Sequence, residues 1–151
     1  MITISDILHS HHVDLNIGQI GQNMAVLHLA TLLKSDLRVV DFTSFSEGVR
    51  TRTPCIAEDP DFSICIPHTR GNCVSSMVMS AGRSVFRDEE GIERTLYLFI
   101  IGVPTTMASD YLRIIGALAR IFKNRHAERE LRSVESAEEF VQILSHQEMV
   151  L

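Results

Sequence analysis

Residues Thr95–Val103 read TLYLFIIGV, a nearly continuous apolar run with aromatic and β-branched side chains. A strand with one wet face would alternate polar and apolar residues, so this run suits a central strand covered on both faces. Upstream, RDEEG at Arg87–Gly91 concentrates charge before a glycine and marks a turn. The segment before it, Val74–Ser84, is expected to be a second strand with Met77, Met79 and Ala81 on one face. Ser63–Ile66 reads as a third strand, which Pro67 ends by removing a backbone donor.

Outward from these strands the period changes. In SDYLRIIGALARIFK, Tyr111, Ile114, Ile115, Leu118 and Phe122 fall on one face of a helix. Ser136 and Glu139 have the spacing of a capping box ahead of Phe140, Val141, Ile143 and Leu144, which predicts a last helix. On the N-terminal side, Gln19–Lys34 reads as helix, with Gly21 weakening its start. Asp41 can cap a further helix over Phe42–Arg52 that Pro54 terminates. Ser5–Leu8 is expected to be a short helical start, and Val13–Leu15 a short extended piece. Helices on either side of a strand-rich middle define an α/β domain of the layered α+β kind, and no linker or repeat divides residues 1–151.

Composition narrows the function classes. The 151 residues suit one domain, long enough to bury a core without metal or disulfide staples. A net charge of −5 argues against nucleic acid as a general partner. Three cysteines, Cys55, Cys65 and Cys73, show no CxxC spacing, so a disulfide scaffold is not expected and a reducing cytoplasm is. The N-terminus, MITISDILHSHH, lacks the basic start and apolar core of a signal peptide. The longest apolar run, Leu96–Val103, is far too short for membrane insertion.

Chemistry concentrates in Ser63–Cys73, SICIPHTRGNC. Pro67 places His68 at a strand end or turn, where ligand sites gather in α/β folds. A neutral imidazole is a nucleophile, and phosphorus is an electrophile it can attack if nearby donors stabilise the charge on the transferred oxygens. Thr69, Arg70 and the backbone amides around Gly71 are donors of the required kind; a plain turn residue is the alternative. Arg50 and Arg52, in GVRTRTP, read either as an exposed basic helix end or as an anion clamp reaching His68. A zinc site from Cys65, His68 and Cys73 lacks a second clear ligand pair, and Cys65 reads as a small hydrophobe within an apolar strand. The histidines His9, His11 and His12 read as a solvated loop with a weak metal signal. A nucleophilic cysteine lacks an orienting third residue. No phosphate loop, dinucleotide fingerprint or zincin motif is present.

At ICIPHTR the chain resembles the enzyme IIA domains of the fructose/mannitol class of the bacterial sugar phosphotransferase system, their nitrogen-regulatory relatives included. Those domains carry a phosphoryl-accepting histidine in an apolar-x-apolar-Pro-His motif. The order of features is similar too: Arg52 upstream, LYLFIIGVP, the helix YLRIIGALARIFKN, a short helix and a capped last one, covering roughly residues 24–144. The resemblance implies a mixed β-sheet flanked by helices on both faces. It implies that His68 takes a phosphoryl group from a histidine-containing phosphocarrier protein and that Arg52 helps hold it. Thr53, Thr69, Arg70 and Tyr111 would be phosphoryl-stabilising donors. The onward partner would be a sugar transporter subunit or a regulated protein, with no cofactor and no metal. Two positions differ from the family pattern. Thr53 follows Arg52 where the family has glutamate, and Tyr111 stands where mannitol-type domains have a second histidine. Tyrosine donates one hydrogen bond but cannot act as a cationic imidazole. With a stand-alone chain, these differences point to the regulatory branch; the rival reading is a regulatory binding module that keeps the fold without phosphotransfer.

Overall fold

The computed structural model describes residues 1–51 and 54–151. In chain order it contains α1 (Ile4–Ile7), β1 (Leu8–Ile17), α2 (Gln22–Thr31), α3 (Phe42–Thr51), β2 (Cys55–Glu58), β3 (Phe62–Cys65), β4 (His68–Arg70), β5 (Val78–Arg87), β6 (Glu93–Val103), α4 (Ala108–Lys123), α5 (Arg125–Ser133) and α6 (Ala137–Met149). The strands form one mixed sheet ordered β1-β5-β6-β3-β2, with β4 pairing β6 beyond β3. β5 and β6 are antiparallel, β1 runs parallel to β5, and β3 and β4 run parallel to β6.

The apolar run predicted as a central strand is the inner part of β6. From Tyr97 to Val103 its side chains are almost completely buried. Alternation divides them between two cores. Tyr97, Phe99, Ile101 and Val103 pack with Met77, Met79 and Ala81 of the β5 side and with α4, α5 and α6. Leu98 and Ile100 face the other way, toward α2 and α3, with Cys65, Phe45 and Val49. Helices therefore cover both faces, as a doubly buried strand requires. Among the described residues no helix is long and apolar enough to cross a membrane.

Several boundaries move from their expected places for local reasons. α2 begins at Gln22 because Gly21 takes a positive φ of 83° that a helix cannot use. Asp41 caps α3 as expected, its carboxylate accepting from the Ser44 amide at 3.2 Å. Ser136 Oγ likewise accepts from the Glu139 amide at 3.2 Å at the start of α6. The short extended piece expected at Val13–Leu15 is in fact a ten-residue edge strand, β1. Its polar HSHH segment is thus not a solvated loop, and His12 is 6% exposed.

Two buried polar devices join the layers on the α4–α6 side. The Arg83 guanidinium donates to the carbonyls of Leu131 and Val134 at 2.8 and 2.7 Å, satisfying the end of α5. Glu128, 3% exposed, accepts from the Tyr97 hydroxyl at 2.8 Å and from Arg132 through both carboxylate oxygens. Burial and the adjacent carboxylate push the Tyr97 hydroxyl well above its ordinary pKa, so it stays a donor.

Candidate functional site

Proline chemistry builds the site. β3 and β4 are successive pieces of one line along the same edge of β6: Cys65 stands opposite Leu98 and His68 opposite Ile101. Between them, Pro67 has no N–H to give, and its carbonyl accepts from the Ile101 amide at 3.0 Å. The Ile66 amide turns instead to the Pro54 carbonyl, at 2.8 Å. The interruption leaves His68 at the head of a new strand, half-buried rather than locked inside the sheet.

The ring is held from two sides. His68 Nδ1 lies 3.0 Å from the Ile66 carbonyl oxygen. A carbonyl can only accept, so Nδ1 carries the proton and Nε2 presents its lone pair. The Tyr111 ring, from the first turn of α4, lies 5.0 Å from the imidazole centroid at an interplanar angle of 38°. Burial pushes the Tyr111 hydroxyl up to about 12, so it remains a protonated donor at neutral pH.

The other expected donors separate by strand alternation. Arg70, two residues along β4, shares the side of His68 and is exposed. Thr69 points the opposite way, toward α3. A Cβ built at Gly48 of α3 would overlap Thr69 Oγ1 and lie 2.5 Å from Thr69 Cβ. α3 therefore touches the strand that carries His68, and only the missing side chain at Gly48 permits it. The Gly71 amide is committed to the Val103 carbonyl at 2.9 Å, which removes it from the donors anticipated near His68. Arg52 and Thr53 lie outside the described residues; Arg50 is in the last turn of α3 and exposed.

The cysteines correct the sequence reading. Cys55 and Cys65 form a disulfide across the β2–β3 pair, where they are register partners. Cys65 is not a free hydrophobic thiol, and it cannot pair with His68 as a C-x-x-H zinc ligand set in this state. Its side chain also belongs to the core on the α2–α3 side, away from the Tyr111 side of His68. Cys73 is free and buried, and burial raises its thiol pKa, the reverse of an activated nucleophile. Sequence reasoning missed both the disulfide and the Gly48–Thr69 contact. Each depends on which strands and helices become neighbours, and the only available signal was the glycine inside a predicted helix.

A mixed sheet flanked by helices, with a half-buried histidine opening a strand after proline, defines a class of α/β folds. The matching family model makes the class specific: residues 6–147 match the phosphoenolpyruvate-dependent sugar phosphotransferase system, EIIA 2. The chain belongs to that family. Among solved structures it is similar to the nitrogen regulatory protein IIA-Ntr from Neisseria meningitidis, at 22% identity and a TM-score of 0.72, covering 93% of this chain and 98% of that one. It is also similar to a candidate PTS IIA, PtxA, from Streptococcus mutans, at 16% identity and a TM-score of 0.64, covering 93% of this chain and 90% of that one. Among curated proteins, none matches significantly.

Proposed function

We propose that this chain is a cytoplasmic histidine phosphocarrier that receives a phosphoryl group on His68 from the phosphohistidine of a carrier protein. The observation that carries the reading is the Nδ1 hydrogen bond to the Ile66 carbonyl, which leaves Nε2 as the free lone pair. In an in-line transfer the Nε2–P bond forms as the donor's N–P bond breaks. No proton needs to cross, because the His68 ring keeps Nδ1–H on the Ile66 carbonyl while it gains positive character. That carbonyl then faces a more cationic donor, which strengthens the bond.

The transferred group needs donors for its equatorial oxygens. The Tyr111 hydroxyl, whose ring lies 5.0 Å from the imidazole, and the exposed Arg70 guanidinium on the same strand as His68 would serve; the family resemblance adds Arg52, and Thr53, next in sequence, would be a further donor. The Thr69 hydroxyl, which lies against Gly48 of α3, would not reach the group. With tyrosine in place of a second imidazole, position 111 cannot supply a cation beside the phosphoryl group. That favours a role in which the phosphorylated state persists as a signal to a regulated protein over rapid relay to a sugar transporter.

The test is incubation with phosphoenolpyruvate, the general phosphotransferase enzyme and its carrier protein, followed by intact mass. The expected result is one acid-labile phosphoryl adduct on the wild type and none on His68→Ala. An adduct that survives His68→Ala removes His68 as acceptor. Absence of any adduct leaves a binding module with this fold.

A further inference from the structure

We infer that Cys55 and Cys65 form a reversible redox site, and that its thiol–disulfide state governs how firmly His68 is held for phosphoryl transfer. The inference rests on the phosphoryl-acceptor reading above for its consequence, but on independent geometry for its mechanism.

The geometry is a short chain of contacts. The Cys55–Cys65 bond pins the start of β2 to the end of β3. One residue from each cysteine, the Pro54 carbonyl accepts from the Ile66 amide at 2.8 Å. The carbonyl of that same Ile66 holds His68 Nδ1 at 3.0 Å. The disulfide, the Pro54–Ile66 bond and the imidazole are therefore linked through one residue, Ile66, whose side chain is fully buried. In sequence, Arg52 is joined to Pro54 through a single residue.

The two sulfurs differ in access. Cys65 is 1% exposed, whereas Cys55 is an exposed residue, so a reagent meets the bond from the Cys55 side. The bond also closes only a short loop, at a sequence separation of 10. The hairpin it spans has its own register, with Ala57 opposite Ile64 and Glu58 opposite Ser63. Short loops gain least from cross-linking, so opening the bond loosens the Pro54–Ile66 junction without unfolding the domain. In a reducing cytoplasm a bond of this kind is transient and responds to oxidants rather than serving as a staple.

The chemistry balances with a protein dithiol as reductant. Its thiolate attacks Cys55 Sγ, and Cys65 leaves as a thiolate that takes a proton. The second thiol of the reductant then attacks the mixed disulfide, releases Cys55 as a thiol and is itself oxidised to a disulfide. In the reverse direction a low-molecular-weight disulfide accepts attack by the Cys55 thiolate and releases one thiol. Cys65 then displaces the second thiol as the intramolecular bond forms.

The experiment uses the full chain in two states, oxidised with glutathione disulfide and reduced with dithiothreitol. Alkylation after denaturation should count one thiol in the first, Cys73, and three in the second. Two readouts follow: amide hydrogen exchange at Ile66, and the rate of phosphoryl uptake from the carrier protein. Reduction should speed Ile66 exchange and slow uptake by about fivefold each, the worth of one ordinary hydrogen bond. Cys55→Ser, at an exposed position, should behave as the reduced protein under both conditions. Failure of the bond to form under oxidation, or Ile66 exchange that is equal in both states, overturns the proposal. So does measurable uptake at one rate in both states. No uptake in either state, with redox-dependent exchange at Ile66, instead removes the phosphoryl-acceptor reading and sustains the redox coupling.

Discussion

Gly48→Ala is the substitution in which two physical effects oppose each other most openly. In a helix interior the change should stabilise, because alanine loses less backbone entropy than glycine, by about 1 kcal/mol. Gly48, however, faces Thr69, and the added Cβ would overlap Thr69 Oγ1 and sit 2.5 Å from Thr69 Cβ. The nearer of these atoms is the hydroxyl, and the other is the branch point itself, which no side-chain rotation can move aside. Relief requires α3 to shift from β4, and overpacking of this kind costs about 1–3 kcal/mol. The repulsion wins: net destabilisation should be about 1 kcal/mol, read as a lower urea midpoint at unchanged m-value. Phosphoryl uptake at His68 should fall as well, because the shift acts on the residue next to it. Gly48→Ala combined with Thr69→Gly should cost less than the sum of the two single changes, since the overlapping atoms are gone. A Gly48→Ala protein as stable as wild type, or more so, would show that α3 does not bear on β4 as described.

Other consequences are separable from that contact. Tyr111→Phe should leave the unfolding midpoint nearly unchanged but shorten the lifetime of phosphorylated His68 by about fivefold, the loss of one donor, measured by adduct decay at neutral pH. Because burial pushes Tyr111 up to about 12, wild-type decay should show no step from this hydroxyl below about pH 11. Arg132→Met should destabilise by roughly 3 kcal/mol in denaturant unfolding, since it leaves the Glu128 carboxylate buried with only the Tyr97 hydroxyl. Asp36 contributes to the acid limb of stability. Bidentate hydrogen bonds from Arg38 hold it down to about 2, below its ordinary value of 3.8, so its contribution is complete above about pH 4 and lost as pH falls through 2. Asp36→Asn should cost about 2 kcal/mol at neutral pH and flatten the stability profile between pH 4 and 2.

How legible these features were depended on how locally they were encoded. TLYLFIIGV announced a doubly buried strand because burial on both faces suppresses alternation along the chain itself. Asp41 and Ser136 were legible as caps because their partners, Ser44 and Glu139, lie three residues away. β1 was underestimated because an edge strand with His9, Ser10 and His11 in sequence looks like a loop until β5 pairs with it. The Cys55–Cys65 bond was misread for a related reason: only the register of β2 on β3 puts the two residues opposite one another. At the site, Pro67 and His68 stood out from chemistry alone, and Tyr111 from the order of family features. The direction of Thr69, by contrast, depends on the packing of α3.

The proposed phosphoryl transfer requires His68 to react through Nε2. Its most direct test is nitrogen-15 and phosphorus-31 NMR on histidine-labelled protein after phosphorylation by the carrier. A nitrogen–phosphorus coupling is expected on His68 Nε2 alone, with Nδ1 still protonated and the other six of the seven histidines unmodified. A coupling at Nδ1, a coupling on another histidine, or no phosphoryl group at all would contradict it.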